Sequence, residues 1–281
     1  VERVRPAAVA GSFYPAEPAE LRRLVEDCFS SSPLGPLGRG SPSSHLLGGM
    51  VPHAGYLYSG PCAAHFYAKL DPDIERIVLL GVNHRGGRAR AALSGAEFWE
   101  TPLGRVKVDQ ELGNELRARL GFLENDDRSH AQEHSIEVQL PFLQTLLKEF
   151  TLLPIALSRL SREECARLGE AIARVYEALR GEDKKSMIIA SSDLSHYLSP
   201  LETDRLDRLA LERVLALDPV GLIETVEKEG ISMCGVLPTA CLLFCARALG
   251  AEKATLLKHC HSGDAVPMDK VVGYASVAVE I

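Results

Sequence analysis

The chain has 281 residues, 46% of them hydrophobic and 25% charged, which is ordinary globular composition with enough length to bury a sizeable core. A net charge of −7, a pI near 5.8 and the lack of any long basic run argue against nucleic acid as a partner, and no apolar stretch is long enough to span a bilayer. Seven scattered cysteines with no C-x-x-C pair argue against a secreted disulfide scaffold, and residues 1–10, broken by Glu2, Arg3 and Arg5, are not organised as a signal peptide, so a cytoplasmic protein is expected.

The first predicted element follows Pro15 and Pro18, an amphipathic helix with Leu21, Leu24, Val25 and Phe29 on one face. Residues 31–44 hold too many Ser, Pro and Gly for regular structure and read as a mobile surface loop. Four continuous apolar runs come next, at 46–51, 76–82, 151–157 and 186–192, separated by helical patterns at 60–70, 134–149 and 161–180. Runs that are apolar throughout predict strands buried on both faces, so the expected fold class is α/β, one domain over residues 1–281 with a mainly parallel mixed sheet and helices on both faces. Cys241 and Cys245 fall in an apolar helical stretch as small core residues. The chain closes on two strands, "ATLLKHC" and "VVGYASVAVEI", the latter alternating enough to be antiparallel.

In open α/β sheets the ligand crevice lies beyond the carboxyl ends of the strands. Polar residues just past each apolar run are therefore the candidates: His53 after "GGMVP", Asn83 and His84 after "IVLLGV", and Ser191, Ser192, Asp193 and His196 after "MIIA". Three strand ends each delivering a histidine point to a built site rather than chance packing. The stretch "DRSHAQEHSIEVQLPFL" adds His130, Glu133, His134 and Glu137. His134 and Glu137, three apart on the predicted helix, share one face and could support the site, or the acidic residues could simply favour a helix start. Cys234 sits in a Gly-flanked loop before a helix, where the dipole would favour its thiolate, but a buried inert cysteine is the base-rate expectation that local sequence leaves preferred, and nothing local selects Cys234 over Cys260.

Taken together, "RPAAVAGSFYPAEPAEL", "PHAGYLYSG", "LGVNH", "EHSIEVQLPFLQ", "SSDLSHY", "MCG" and "SGD" with "VVGYASVAV" resemble the Memo family, whose bacterial and archaeal branch is labelled AmmeMemoRadiSam system protein B. The resemblance covers nearly the whole chain and implies a fold like that of class III extradiol dioxygenases. It implies His53, His84 and Cys234 as metal ligands, with Fe(II) favoured and Cu or Zn as alternatives, and His196 beside Asp193 as acid–base catalyst; His134, Glu137 and Asn83, from their own places in the sequence, are expected to support that site. Where relatives often carry proline before the second ligand this chain has Val82, and after "MCG" it has Val236 and Leu237 where they often have Tyr-Gly.

The function this implies is a metal-dependent oxidoreductase acting on an unknown small organic molecule or on the redox state of its metal. The competing expectations are a non-catalytic module that captures a peptide or anionic group in the same pocket, and an accessory protein to a radical SAM partner. A nucleotide site is not expected, because "GVNHRGGR" lacks the phosphate-loop spacing.

Overall fold

The structure is a computed structural model that describes residues 2–181 and 185–281, with the side chains of residues 179–181 left out of the description. All four apolar runs are strands, Leu46–Val51, Arg76–Val82, Thr151–Leu157 and Ser186–Ser191, and they lie side by side and parallel in the spatial order Thr151–Leu157, Arg76–Val82, Ser186–Ser191, Leu46–Val51. Their residues alternate between two cores. Ile77, Leu79, Met187 and Ile189 join the core built with helices Pro18–Ser30, Tyr56–Tyr67 and Leu140–Leu146, whereas Val78, Leu80, Ile188 and Ala190 join the core built with Gln110–Arg119, Arg162–Gly181 and Val236–Ala248. Burial on both faces is why these strands are apolar throughout instead of alternating.

The last strand, Val271–Glu280, runs antiparallel to Leu46–Val51 and to Lys253–His261, which makes the sheet mixed as expected. Beyond Thr151–Leu157 the partner on the outer side changes, from Gly104–Val108 along Thr151 and Leu152 to Ala91–Leu93 from Ile155 onward. Pro154 falls in the gap between those two partners, where its missing N–H is not needed by a ladder. Cys241 and Cys245 are fully buried in helix Val236–Ala248, as read from the sequence. Residues 31–44 contain no helix or strand. Among the described residues no helix is long and apolar enough to cross a membrane.

One expected element differs. The helix predicted over 134–149 is replaced by a 3-10 turn at Glu137–Gln139 and a short helix at Leu140–Leu146. The reason lies at its start, where the Glu133 carboxylate accepts the backbone N–H groups of both His134 (2.8 Å) and Ser135 (2.9 Å), and the Ser135 hydroxyl is bonded to the backbone of Val82. These bonds fix residues 133–135 as a turn docked against the end of strand Arg76–Val82. Gly81 permits the contact, since a Cβ there would collide with the side chains of Ser135 and Ile136. Sequence reading also passed over helices Pro200–Leu215 and Pro219–Glu229, which pack with Val236–Ala248 over Met50, Ala275 and Val277.

Candidate metal centre

Three histidines meet beyond the carboxyl ends of the parallel strands. His53 follows Leu46–Val51, His84 follows Arg76–Val82, and His134 is carried in by the docked turn. One nitrogen from each lies within 4.8 Å of the others, the only such group of three or more metal-binding side chains among the described residues. The His53 ring stands edge-on to His84 at 5.2 Å and to His134 at 5.4 Å, while His84 and His134 stack at 4.7 Å.

Each ring is oriented from behind. His53 is 1% exposed; its backbone N–H donates to Asp193 Oδ1 (2.7 Å) and its Nδ1 meets the Ser191 hydroxyl at 2.9 Å, which leaves Nε2 directed to the site. For His84, Glu133 takes both the backbone N–H (2.6 Å) and Nδ1 (3.0 Å). His134 packs on Phe13 at 4.6 Å between ring centroids, and its buried Nδ1 has no hydrogen-bond partner. A carboxylate behind a ligating imidazole fixes its tautomer and raises its basicity, so Glu133 occupies the supporting position usual at metal sites.

The electrostatics favour neutral imidazoles at His53 and His134. Burial holds His53 well below the ordinary histidine value and lowers His134 to about 4, with the neighbouring histidines adding to the effect. At Glu133 burial works to raise the carboxyl, but hydrogen bonding and charge from His84 and the Ser135 N–H outweigh it and bring the group to about 2. Neutral nitrogens beside a permanent carboxylate are the protonation states a cation requires.

Cys234 reaches the site from the turn before helix Val236–Ala248. Its Sγ lies 3.2 Å from His53 Nε2 and accepts the Asp193 N–H at 3.3 Å, an approach that Gly235 makes feasible because a Cβ there would collide with Ser192. The tight donor group nevertheless contains His134 and not Cys234, which borders it through His53. Nor does the helix start make Cys234 a thiolate by itself: burial, reinforced by Asp193, pushes the thiol above its usual value, so only a cation would deprotonate it. Cys260, the alternative by sequence, is buried against Cys62 and Tyr274 instead.

The remaining candidates divide. Asp193 is 5% exposed and burial raises its carboxyl to about 6 against the pull of the His53 N–H and of His196 and His84. His196 is half-buried, its N–H bonded to the Ser232 hydroxyl (2.7 Å) and its Nδ1 to the Ser232 carbonyl (2.8 Å). Asn83 donates to Ser129 Oγ at 3.0 Å, and its buried Oδ1 has no partner. Glu137 makes no hydrogen bond to any histidine among the described residues. Its carboxylate is fully buried against Arg5, the N–H groups of Ala8 (2.8 Å) and Val9 (3.0 Å), and the Tyr14 hydroxyl (2.5 Å). It therefore fastens the N-terminal segment that carries Phe13, and the shared helical face expected for His134 and Glu137 does not exist because the 3-10 turn starts at Glu137 and leaves His134 outside any helix.

His130, fully buried with Nε2 on the Ala92 carbonyl (3.0 Å) and Nδ1 unpartnered, is a structural histidine whose burial lowers it to about 4. Between pH 6.5 and 4 the unfolded chain takes up a proton that the folded chain refuses at this site. Stability is then full above pH 6.5 and declines on acidification, by about 3 kcal/mol at pH 4. Urea unfolding across that range should show a shallower decline in His130→Gln than in the unaltered protein. Parallel profiles would refute the assignment.

An α/β sheet with several histidines converging at its strand ends, backed by a buried carboxylate, defines a candidate metal-binding protein. The family model for Memo-like proteins matches residues 5–278, and the chain belongs to that family. It is similar to MEMO1 family proteins of Methanopyrus kandleri (43% identical, covering 97% of this chain and 98% of the relative), Ignicoccus hospitalis (44%, covering 98% of each) and Pyrobaculum aerophilum (41%, covering 98% of each).

Proposed function

We propose that this protein is a metal-dependent oxidoreductase acting on a small organic molecule, with the metal held by His53, His84 and a third donor from Cys234 or His134. The observation that carries the reading is the convergence of three histidines within 4.8 Å of one another, with the Glu133 carboxylate behind them. Two histidines with a thiolate, or three histidines, suit Fe(II) or Cu, with Zn as the redox-inert alternative. When bound, such a metal supplies Lewis acidity and, if Fe or Cu, a one-electron couple.

The chain's own groups supply the rest. Ser232 accepts from His196 Nδ1, which makes that nitrogen the protonated one and leaves Nε2 with a lone pair to take a proton from a bound substrate. Asp193 fixes the His53 backbone and, titrating near neutrality, adds charge next to the ligand set when it ionises. His53 is sealed from solvent while His84 remains open, so substrate would approach from the His84 side.

The test is metal analysis of untagged protein purified anaerobically, followed by O₂ uptake by the Fe(II)-loaded form against a panel of small organic substrates. The expected result is about one Fe or Cu per chain and substrate-dependent uptake that falls about 100-fold in His196→Ala with metal retained. Redox-inert metal with no turnover on any substrate would sink the oxidoreductase reading and favour a binding module.

A further inference from the structure

A second concave site lies between the loop that begins at His84 and the start of helix Arg162–Gly181. It is a cavity of about 760 Å³ lined by Arg88, Arg90, Glu124, Arg159, Leu160 and Leu237 together with Ser158 and Ser161. Three guanidinium groups around one cavity stand out in a chain whose net charge is −7. Arg90 alone is satisfied, in a two-point pair with Glu164 at 2.7 and 2.9 Å. Arg88 and Arg159 make no ion pair among the described residues, and only Glu124 faces them as a free carboxylate on the lining.

The two arginine-bearing segments are fastened to each other. The Ser158 N–H donates to the Arg90 carbonyl (3.0 Å), the Ser158 hydroxyl to the Ala89 carbonyl (3.1 Å), and the Arg159 N–H also reaches the Arg90 carbonyl (3.4 Å). Behind them Ala89 is buried and its N–H is held by Asp126. The guanidinium groups thus project from a fixed base, which lowers the ordering cost of binding a multiply charged anion.

We propose that this cavity is an anion site for a small ligand carrying two or more negative charges, gripped by Arg88 and Arg159, with Arg90, held by Glu164, as part of the wall between them. Arginine forks match phosphate and carboxylate oxygens alike, so the shared chemistry is a polyanionic group, either a phosphate ester or a polycarboxylate. The site borders both segments that bring donors to the metal centre: His84 opens the loop that carries Arg88 and Arg90, and Leu237 is the third residue after Cys234. The inference does not depend on the oxidoreductase reading, because anion binding is measured without turnover.

The experiment is calorimetric titration of the full chain, metal-free and metal-loaded, with inorganic pyrophosphate and, separately, citrate. Saturable one-to-one binding of at least one of them is expected, weakened at least about tenfold in Arg88→Ala/Arg159→Ala and unchanged in a control at exposed Arg22→Ala. Preference between the two probes identifies the source of the anion. Both arginines are exposed, so the double variant should fold, and its unfolding curve checks that. Absence of binding of both probes up to about 10 mM, a range of weak affinity, or binding that the double variant leaves intact, would overturn the proposal.

Discussion

Replacing His53 by alanine is expected to lower metal affinity by at least about 100-fold, the largest effect of any single change at the centre. His53 is the one residue that touches every other candidate donor: it is 5.2 Å from the His84 ring, 5.4 Å from the His134 ring and 3.2 Å, Nε2 to Sγ, from Cys234. Its Nδ1 and backbone N–H are committed to Ser191 and Asp193, so Nε2 is its single free donor and is held in place from behind. The same titration separates the two donor sets. If Cys234 is a ligand, Cys234→Ser should weaken Cu(I) or Fe(II) binding sharply, since a serine hydroxyl stays protonated near neutral pH and is a poor partner for soft metals. If His134 completes the set, His134→Ala carries that loss and Cys234→Ser costs little. Glu133→Gln, which keeps the shape but removes the charge behind His84, should cost about 10- to 100-fold. Unchanged affinity in His53→Ala would end the metal reading, because both donor sets, with His134 or with Cys234, are joined through His53.

His53, His84, Asp193 and His196 could be found from the sequence because a buried parallel strand announces itself as an unbroken apolar run, and the crevice of such a sheet lies where the run stops. Glu133 lies beside His134 in the sequence and was in view, yet its role was not. Helical spacing paired His134 with Glu137, whereas the segment turns instead of coiling, so Glu133 points inward to His84 and Glu137 points back to Arg5. The only signal available was the local one: a Glu followed by backbone N–H groups that it can cap, a pattern that fits a helix start and a tight turn equally well. Helices Pro200–Leu215 and Pro219–Glu229 lie away from the apolar runs that mark the parallel strands, and their sequence signal is confined to the capped proline starts at Ser199-Pro200 and Asp218-Pro219.

Glu137→Ala is expected to destabilise the fold by about 3–5 kcal/mol, because it leaves the Arg5 guanidinium buried and without its anionic partner. Arg5 is 5% exposed and Glu137 is sealed completely. Arg5 also donates to the carbonyls of His130 (2.9 Å) and Glu133 (2.6 Å) and lies over the Trp99 ring at 4.4 Å, so it cannot swing out to water without abandoning those contacts. On the other side the substitution orphans two backbone N–H groups, those of Ala8 and Val9, and the Tyr14 hydroxyl, each a further desolvation cost. Urea unfolding followed through Trp99, the single tryptophan, reads the loss directly because that ring packs on Arg5 itself. Glu137→Gln, which retains an acceptor for some of these donors, should lose less. Metal affinity measured well below the unfolding range should change less in either variant than in Glu133→Gln, since Glu137 touches none of the candidate donors and reaches the centre only by holding the segment whose Phe13 lies on His134. A variant that stayed as stable as the parent and lost metal instead would reverse the assignment, making Glu137 a supporter of the site and leaving the buried Arg5 to be satisfied by carbonyl oxygens alone.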